Sequence, residues 1–331
     1  MGNQRYPEID LLKCVCILSV VWVHSYTSVT VSNSLGSILA DIVCWWIIPG
    51  LFFAAGFLFD KNKYSTGQLI KKKLVRILPP YLFWSLCFQF LNVPGLTIGL
   101  ENLDTRQLIY NLIFCHTVGI YWFVFVLSYL FAGSFVLRHL PDKWVWGLWG
   151  FSALLLLLFV KVLATPSMSF FLFQRHPFFY LFAYLSGWVF SLNYERAGSF
   201  LKKHGATVFF SGIVLSLMLL VITRIDGNNF ESFPILKQIY ICICIPLLII
   251  VGMWTKKFQG VIQFFSNRSY GIYLIHFPII NACLLVYPEI SPTYSLVYVF
   301  ISWGLGIAGS TLIIFLVQKI SGRYSKYLIG C

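Results

Sequence analysis

Acidic side chains are scarce in this chain: eleven Asp and Glu in 331 residues, within a total charged share of 11%. Soluble domains carry about 25% charge, so water is excluded as the main solvent of the folded surface. Internal repeats, low-complexity linkers and polar stretches long enough for a separate soluble domain are also missing, so one membrane domain over residues 1–331 is expected, with a cytoplasmic tail at about 319–331. The nine cysteines lie mostly inside apolar runs. The two Cys-x-Cys pairs, Cys14/Cys16 and Cys242/Cys244, point to different helix faces and lack zinc-like spacing, so no metal is expected. A cleavable leader is not indicated, because the first apolar run holds Asp10, Lys13 and His24 and no small-residue cleavage site. Tyr6 stands where a myristoylation signal needs Ser or Thr, and Cys331 does not end a prenylation box, so anchoring is expected from helices. The formal charge of +13 is dispersed between apolar runs rather than gathered on a polar face, which argues against nucleic acid as a partner.

What is present is apolar length. Hydrophobic residues make up 59% of the chain, and a membrane helix needs about 20 such positions. Apolar windows fall near 9–30, 36–59, 75–92, 119–137, 144–163, 177–193, 205–223, 234–254, 269–287 and 293–318. They predict an all-α, polytopic transmembrane bundle of about ten spans, with a shorter helix near 105–116 at the outer surface. Lys and Arg divide eighteen to five between alternate loops when Lys13 is set aside inside the first span. The positive-inside rule then places both termini in the cytoplasm of a multi-pass inner (plasma) membrane protein.

Ionisable groups within a span cost several kcal/mol and are functional candidates by default. Asp10 and Lys13 share a face of the first helix, as a boundary ion pair or as the mouth of a site. Lys13 and His24 are eleven residues apart, three turns plus about 20°, so they share a face about 16 Å apart along the axis. A cation at the mouth and an imidazole deep inside suit an anionic cofactor whose reactive end reaches into the bilayer; an interhelical hydrogen bond is the plainer reading of His24. Lys71, Lys72, Lys73 and Arg76 precede Pro79. They read as a topology signal or lipid-headgroup patch, or as a phosphate clamp in which Lys73 and Arg76 share one helical face. Tyr121 and Trp122 open the fourth span, as an interfacial belt or as acceptor contacts. Arg175 lies at an outer loop edge, where an acceptor can be met, and His276 lies within a span and needs a partner.

In their order along the chain these motifs resemble the acyltransferase-3 family of membrane O-acyltransferases, over nearly the whole sequence. The acidic residue, basic residue and His of the family's opening stand as Asp10, Lys13 and His24. Its Phe-Phe-x-x-Ser-Gly-Phe stands, one residue shorter, as Phe52-Phe53-Ala54-Ala55-Gly56-Phe57, with Ala55 in place of Ser. The basic R/K-x-x-R stands as Lys73 and Arg76, followed by Pro79 and Tyr81. The Trp-Phe signature is Trp122-Phe123, and the late Tyr-x-x-Tyr-Leu-x-His is Tyr270, Tyr273, Leu274 and His276. No SGNH-type hydrolase domain is fused, although many relatives carry one. The resemblance implies transfer of an acyl group, with acetyl-CoA as donor, to a hydroxyl of a cell-envelope polysaccharide or lipid-linked sugar. His24 is then the expected general base, and Lys13, Lys73 and Arg76 the expected donor contacts. Asp41 is the candidate orienting partner of His24, since five residues into the returning second span its depth matches. Tyr121, Trp122, Arg175 and His276 are the candidate acceptor contacts. Related domains that look like amino-acid carriers make transport of a small polar solute the alternative.

Overall fold

The computed structural model describes residues 5–28, 34–59, 66–93, 104–163, 176–224, 233–255, 257–286 and 295–330. Every regular element among them is helical: α1 Pro7–Ser28, α2 Ser34–Phe57, α3 Thr66–Phe90, α4 Thr105–Ile113, α5 Trp122–Leu137, α6 Asp142–Leu163, α7 Pro177–Leu192, α8 Tyr194–Arg224, α9 Pro234–Trp254, α10 Gln259–Val286, α11 Ser295–Ser321 and α12 Ser325–Leu328. A helix occupies each of the ten apolar windows, and α4 occupies the short intervening stretch, its start capped by Asp104 Oδ1 accepting from the Gln107 amide at 2.6 Å. By length and apolarity, five helices among the described residues suffice to cross a membrane: Pro7–Thr27, Gly119–Leu137, Tyr194–Thr223, Ile235–Trp254 and Leu296–Leu328. Ile42–Phe57 and Pro177–Leu192 are shorter apolar helices.

The helices outrun the apolar windows in a systematic way. α3 begins nine residues before its window, α8 eleven and α10 ten. The added turns hold Lys71–Lys73, Lys202, Lys203, Gln259 and Gln263. Lys and Gln are good helix formers, so the helix continues past the point where its side chains cease to suit lipid. Proline sets other boundaries, opening α7 at Pro177 and α9 at Pro234, where its missing amide is no loss.

The chain folds as two compact units. The first comprises residues 1–16, 41–63 and 136–266. Its tightest junction is between α2 and α7, where a Cβ added at Gly56 would overlap the Tyr184 carbonyl and one added at Gly187 would overlap the Phe53 carbonyl. This reciprocal approach of two backbones is what small residues permit where apolar side chains gain nothing by leaving lipid. It gives the glycine of the Phe52-Phe53-Ala54-Ala55-Gly56-Phe57 stretch a packing cause. Trp149 Nε1 donates to Ser186 Oγ at 2.9 Å between α6 and α7.

The second unit comprises residues 17–40, 64–135 and 267–331. Trp303 Nε1 of α11 donates to the Leu18 carbonyl of α1 at 2.9 Å, and Trp22 packs against Phe300 at 4.8 Å. Pro278 lies inside α10. It has no amide to give the carbonyl four residues earlier, that of Leu274. Tyr121 supplies the donor, its hydroxyl meeting the Leu274 oxygen at 2.7 Å. In return the Tyr273 hydroxyl donates to the Ile120 carbonyl of the 3-10 turn Gly119–Tyr121. The end of the chain is folded onto this unit as well: Trp84 Nε1 of α3 donates to the Leu328 carbonyl at 2.8 Å, and Ile329 is fully buried.

Two substitutions test these joints by thermal unfolding in detergent. Gly56→Ala is expected to cost more than the roughly 1–3 kcal/mol of ordinary core overpacking, because the atom it meets is backbone; an unchanged midpoint would refute the close crossing. Tyr121→Phe leaves the Leu274 carbonyl buried without its donor and is expected to cost about 1–3 kcal/mol, whereas a purely apolar role for the ring would leave stability intact.

Candidate active site

His24 sits four turns into α1, half-buried, in the second unit. Its position is set by the face of α1 that carries Leu18 and Val21. Leu18 is tied to Trp303, and Val21 is within reach of Gly306, where an added Cβ would come to 3.0 Å of Val21 and 3.1 Å of Ile280. That face brings the His24 ring to α10. The His276 ring lies 5.3 Å from it between centroids, tilted by 39°, and the Phe277 ring lies 5.2 Å away, edge-on. His276 is fully buried and its Nδ1 lies 2.9 Å from the Ile272 carbonyl.

α10 continues this line of rings toward the basic end of α3. Tyr273 is 6.2 Å from His276, and Tyr270 is stacked 6.4 Å from Tyr273. Tyr270, Tyr273 and His276 recur every three residues, so they climb one side of the helix by about 9 Å in six residues. At the lower end the Tyr270 hydroxyl donates to the Ile77 carbonyl at 2.7 Å, next in sequence to Arg76. Lys73 is half-buried with its ammonium 5.0 Å over the Phe131 ring, an arrangement favoured by the ring quadrupole. Arg76 is exposed. The second unit thus carries both imidazoles and the Lys73–Arg76 pair, joined by one face of α10.

Lys13 belongs to the other unit. Its Nζ donates to the Ser266 carbonyl at 2.8 Å, and the Ser266 hydroxyl donates to Asp10 Oδ1 at 2.5 Å. Asp10 and Lys13 therefore meet through a serine that the sequence reading passed over. Its only sign was the polar run Ser266-Asn267-Arg268-Ser269 at the foot of an apolar helix. The side chain of Asp41 lies outside the described residues, as does Arg175. Trp122 is half-buried at the start of α5. Tyr121 is fully buried with its hydroxyl on the Leu274 carbonyl, which makes it a backbone support. The roles of Tyr270 and Tyr273 as the rungs between His276 and α3 were likewise missed, although their three-residue spacing was visible.

The arrangement sets a half-buried imidazole, a fully buried second imidazole and two cationic side chains along one aromatic face. No curated protein and no solved structure matches the chain. The model of the acyltransferase domain family matches residues 6–318, nearly its whole length. The motifs from Asp10 to His276 thus lie within one family match, and the chain belongs to the acyltransferase-3 family of membrane proteins.

Proposed function

We propose that this acyltransferase moves an acetyl group from acetyl-CoA on the cytoplasmic side to a hydroxyl of a cell-envelope glycan or lipid-linked sugar. The observation that carries the reading is the half-buried His24 ring beside α10, on the same helix face that descends to Ile77 next to Arg76. In the transfer, a His24 nitrogen takes the proton of the acceptor hydroxyl as its oxygen bonds to the thioester carbonyl carbon. The tetrahedral oxyanion collapses, the carbon–sulfur bond breaks, and His24 returns the proton to the departing CoA thiolate. The charge balance closes without any other reactant.

Lys73 and Arg76 would hold the donor's phosphates. Arg76 is suited by its planar fork, which matches phosphate oxygens two at a time, and by its exposure. Trp122 remains the aromatic candidate for the acceptor side. Lys13 is in contact with Ser266 in a different unit, which favours holding α1 over binding the donor. Ten spans with both termini inside the cell complete the reading; for the C-terminal side its support is that a Cβ on Gly330 would meet the Arg76 carbonyl at 2.7 Å, so Arg76 and residue 330 share one level of the second unit. Membership of an acyltransferase family favours transfer over solute transport.

The decisive assay is labelled acetyl-CoA added to protein in liposomes with a glycan acceptor. His24→Ala is expected to lower turnover by about 10²–10⁴-fold, the usual worth of a positioned base. Arg76→Ala is expected mainly to raise the KM for acetyl-CoA. Full activity in both variants would overturn the assignment, and movement of a labelled solute without acetyl transfer would establish a carrier instead. Acetyl-CoA at 100 times its Kd should also stabilise the purified protein by about 2.7 kcal/mol, read as a rise in Tm that shrinks in Arg76→Ala.

A further inference from the structure

His276 makes one hydrogen bond that fixes its chemistry. The Ile272 carbonyl can only accept, so Nδ1, 2.9 Å away, carries the proton of the neutral ring. Nε2 is then a lone pair. It is fully buried and, among the described residues, has no hydrogen-bond partner. A buried acceptor left unmatched costs about 1–3 kcal/mol, and such orphans in native proteins call for an explanation. The polar ring beside it is His24, whose centroid is 5.3 Å away. That spacing equals two ring radii plus one N–H···N contact of about 2.9 Å, so rotation of the tilted rings into line closes the bond.

The two imidazoles differ in reach. His24 is half-buried, whereas His276 is 0% exposed. An entering hydroxyl therefore meets His24, with His276 behind it. The backbone around His276 is also held: Tyr121 fastens the Leu274 carbonyl that Pro278 leaves without a helical donor, and Tyr273 anchors to Ile120. Phe277 stands edge-on to the His24 ring and limits its swing.

We propose that His276 is the positioning residue of His24: its Nε2 accepts the N–H of the His24 ring, leaving the other His24 nitrogen to face the acceptor hydroxyl. This role replaces the direct acceptor contact expected of His276 from sequence and rests on the transferase reading above. It fixes the tautomer of the base. When His24 holds the extra proton, the N–H···N bond strengthens, and His276 itself gains no proton and forms no covalent bond.

Two amides separate this role from a structural one, because Asn places its polar group near the position of Nδ1 and Gln near that of Nε2. His276→Asn keeps a donor for the Ile272 carbonyl and loses the acceptor aimed at His24. It should lower kcat by about 10²-fold with the KM values for acetyl-CoA and acceptor unchanged. His276→Gln restores an acceptor at the outer position and should recover activity to within about tenfold of the native enzyme. The opposite order, with Asn active and Gln inactive, would show that the Ile272 bond is all that matters. A rise in acceptor KM at constant kcat would return His276 to substrate contact. Either result overturns the proposal. Ring-nitrogen NMR of histidine-labelled protein reads the contact without turnover: the His24 resonances should shift in His276→Asn and return toward native positions in His276→Gln. If they do not move, the pairing is refuted even where transfer proceeds. If the native protein transfers no acetyl group yet the resonances shift, the pairing stands and the transferase reading alone fails.

Discussion

A buried backbone carbonyl that loses its helical donor must find another, and α10 of the second unit holds one such group. Pro278 strips the Leu274 oxygen of its helical donor, and only a side chain from elsewhere can replace it. Tyr121 does so from the mouth of α5, and the exchange is mutual, because Tyr273 of α10 serves the Ile120 carbonyl in the turn that precedes Tyr121. The turn of α10 around Pro278, two residues beyond His276, is thereby held. The placement of that ring, and through it the surroundings of His24, depends on this pair of hydroxyls finding main-chain oxygens.

The sequence made the helices legible because lipid demands uninterrupted apolar length. Ten windows were marked and ten helices lie on them, but the starts of α3, α8 and α10 were missed by nine to eleven residues. Hydropathy reports where lipid begins, while helix propensity decides where the hydrogen-bonded backbone begins, and lysine and glutamine satisfy the second without the first. His24 and His276 were both legible as ionisable groups inside spans, yet their adjacency was not. Matching depth along two spans pointed to Asp41 as a partner of His24, and that side chain lies outside the described residues; depth in one dimension does not tell which helix lies beside which, so the nearness of His276 was not visible. Tyr121 reads in the sequence as an interfacial aromatic or an acceptor contact, the two ordinary roles for tyrosine at a span end. Only the coordinates show that its hydroxyl points inward to a proline-freed carbonyl. Lys13 shows the same limit, because its partner Ser266 lies 253 residues away in the chain.

The family resemblance and the geometry meet at different levels of detail. The family match establishes what class of chemistry the chain belongs to. The residue-level roles rest on local facts: a glycine that lets α2 and α7 backbones touch, an arginine exposed at the foot of α3, and a row of rings on one side of α10. Each has a cause in side-chain size, charge or hydrogen-bonding capacity.

The contact between Trp84 and Leu328 spans 244 residues of chain. At the roughly 5–20 residues per second of ribosomal synthesis, the indole of α3 is made on the order of ten to fifty seconds before the carbonyl it will hold. During that interval α3 is already synthesised while the residues that clasp it are not. Assembly of this end of the second unit is therefore ordered by translation, and a ribosome that stops short of residue 328 releases a chain in which α3 lacks its final clasp.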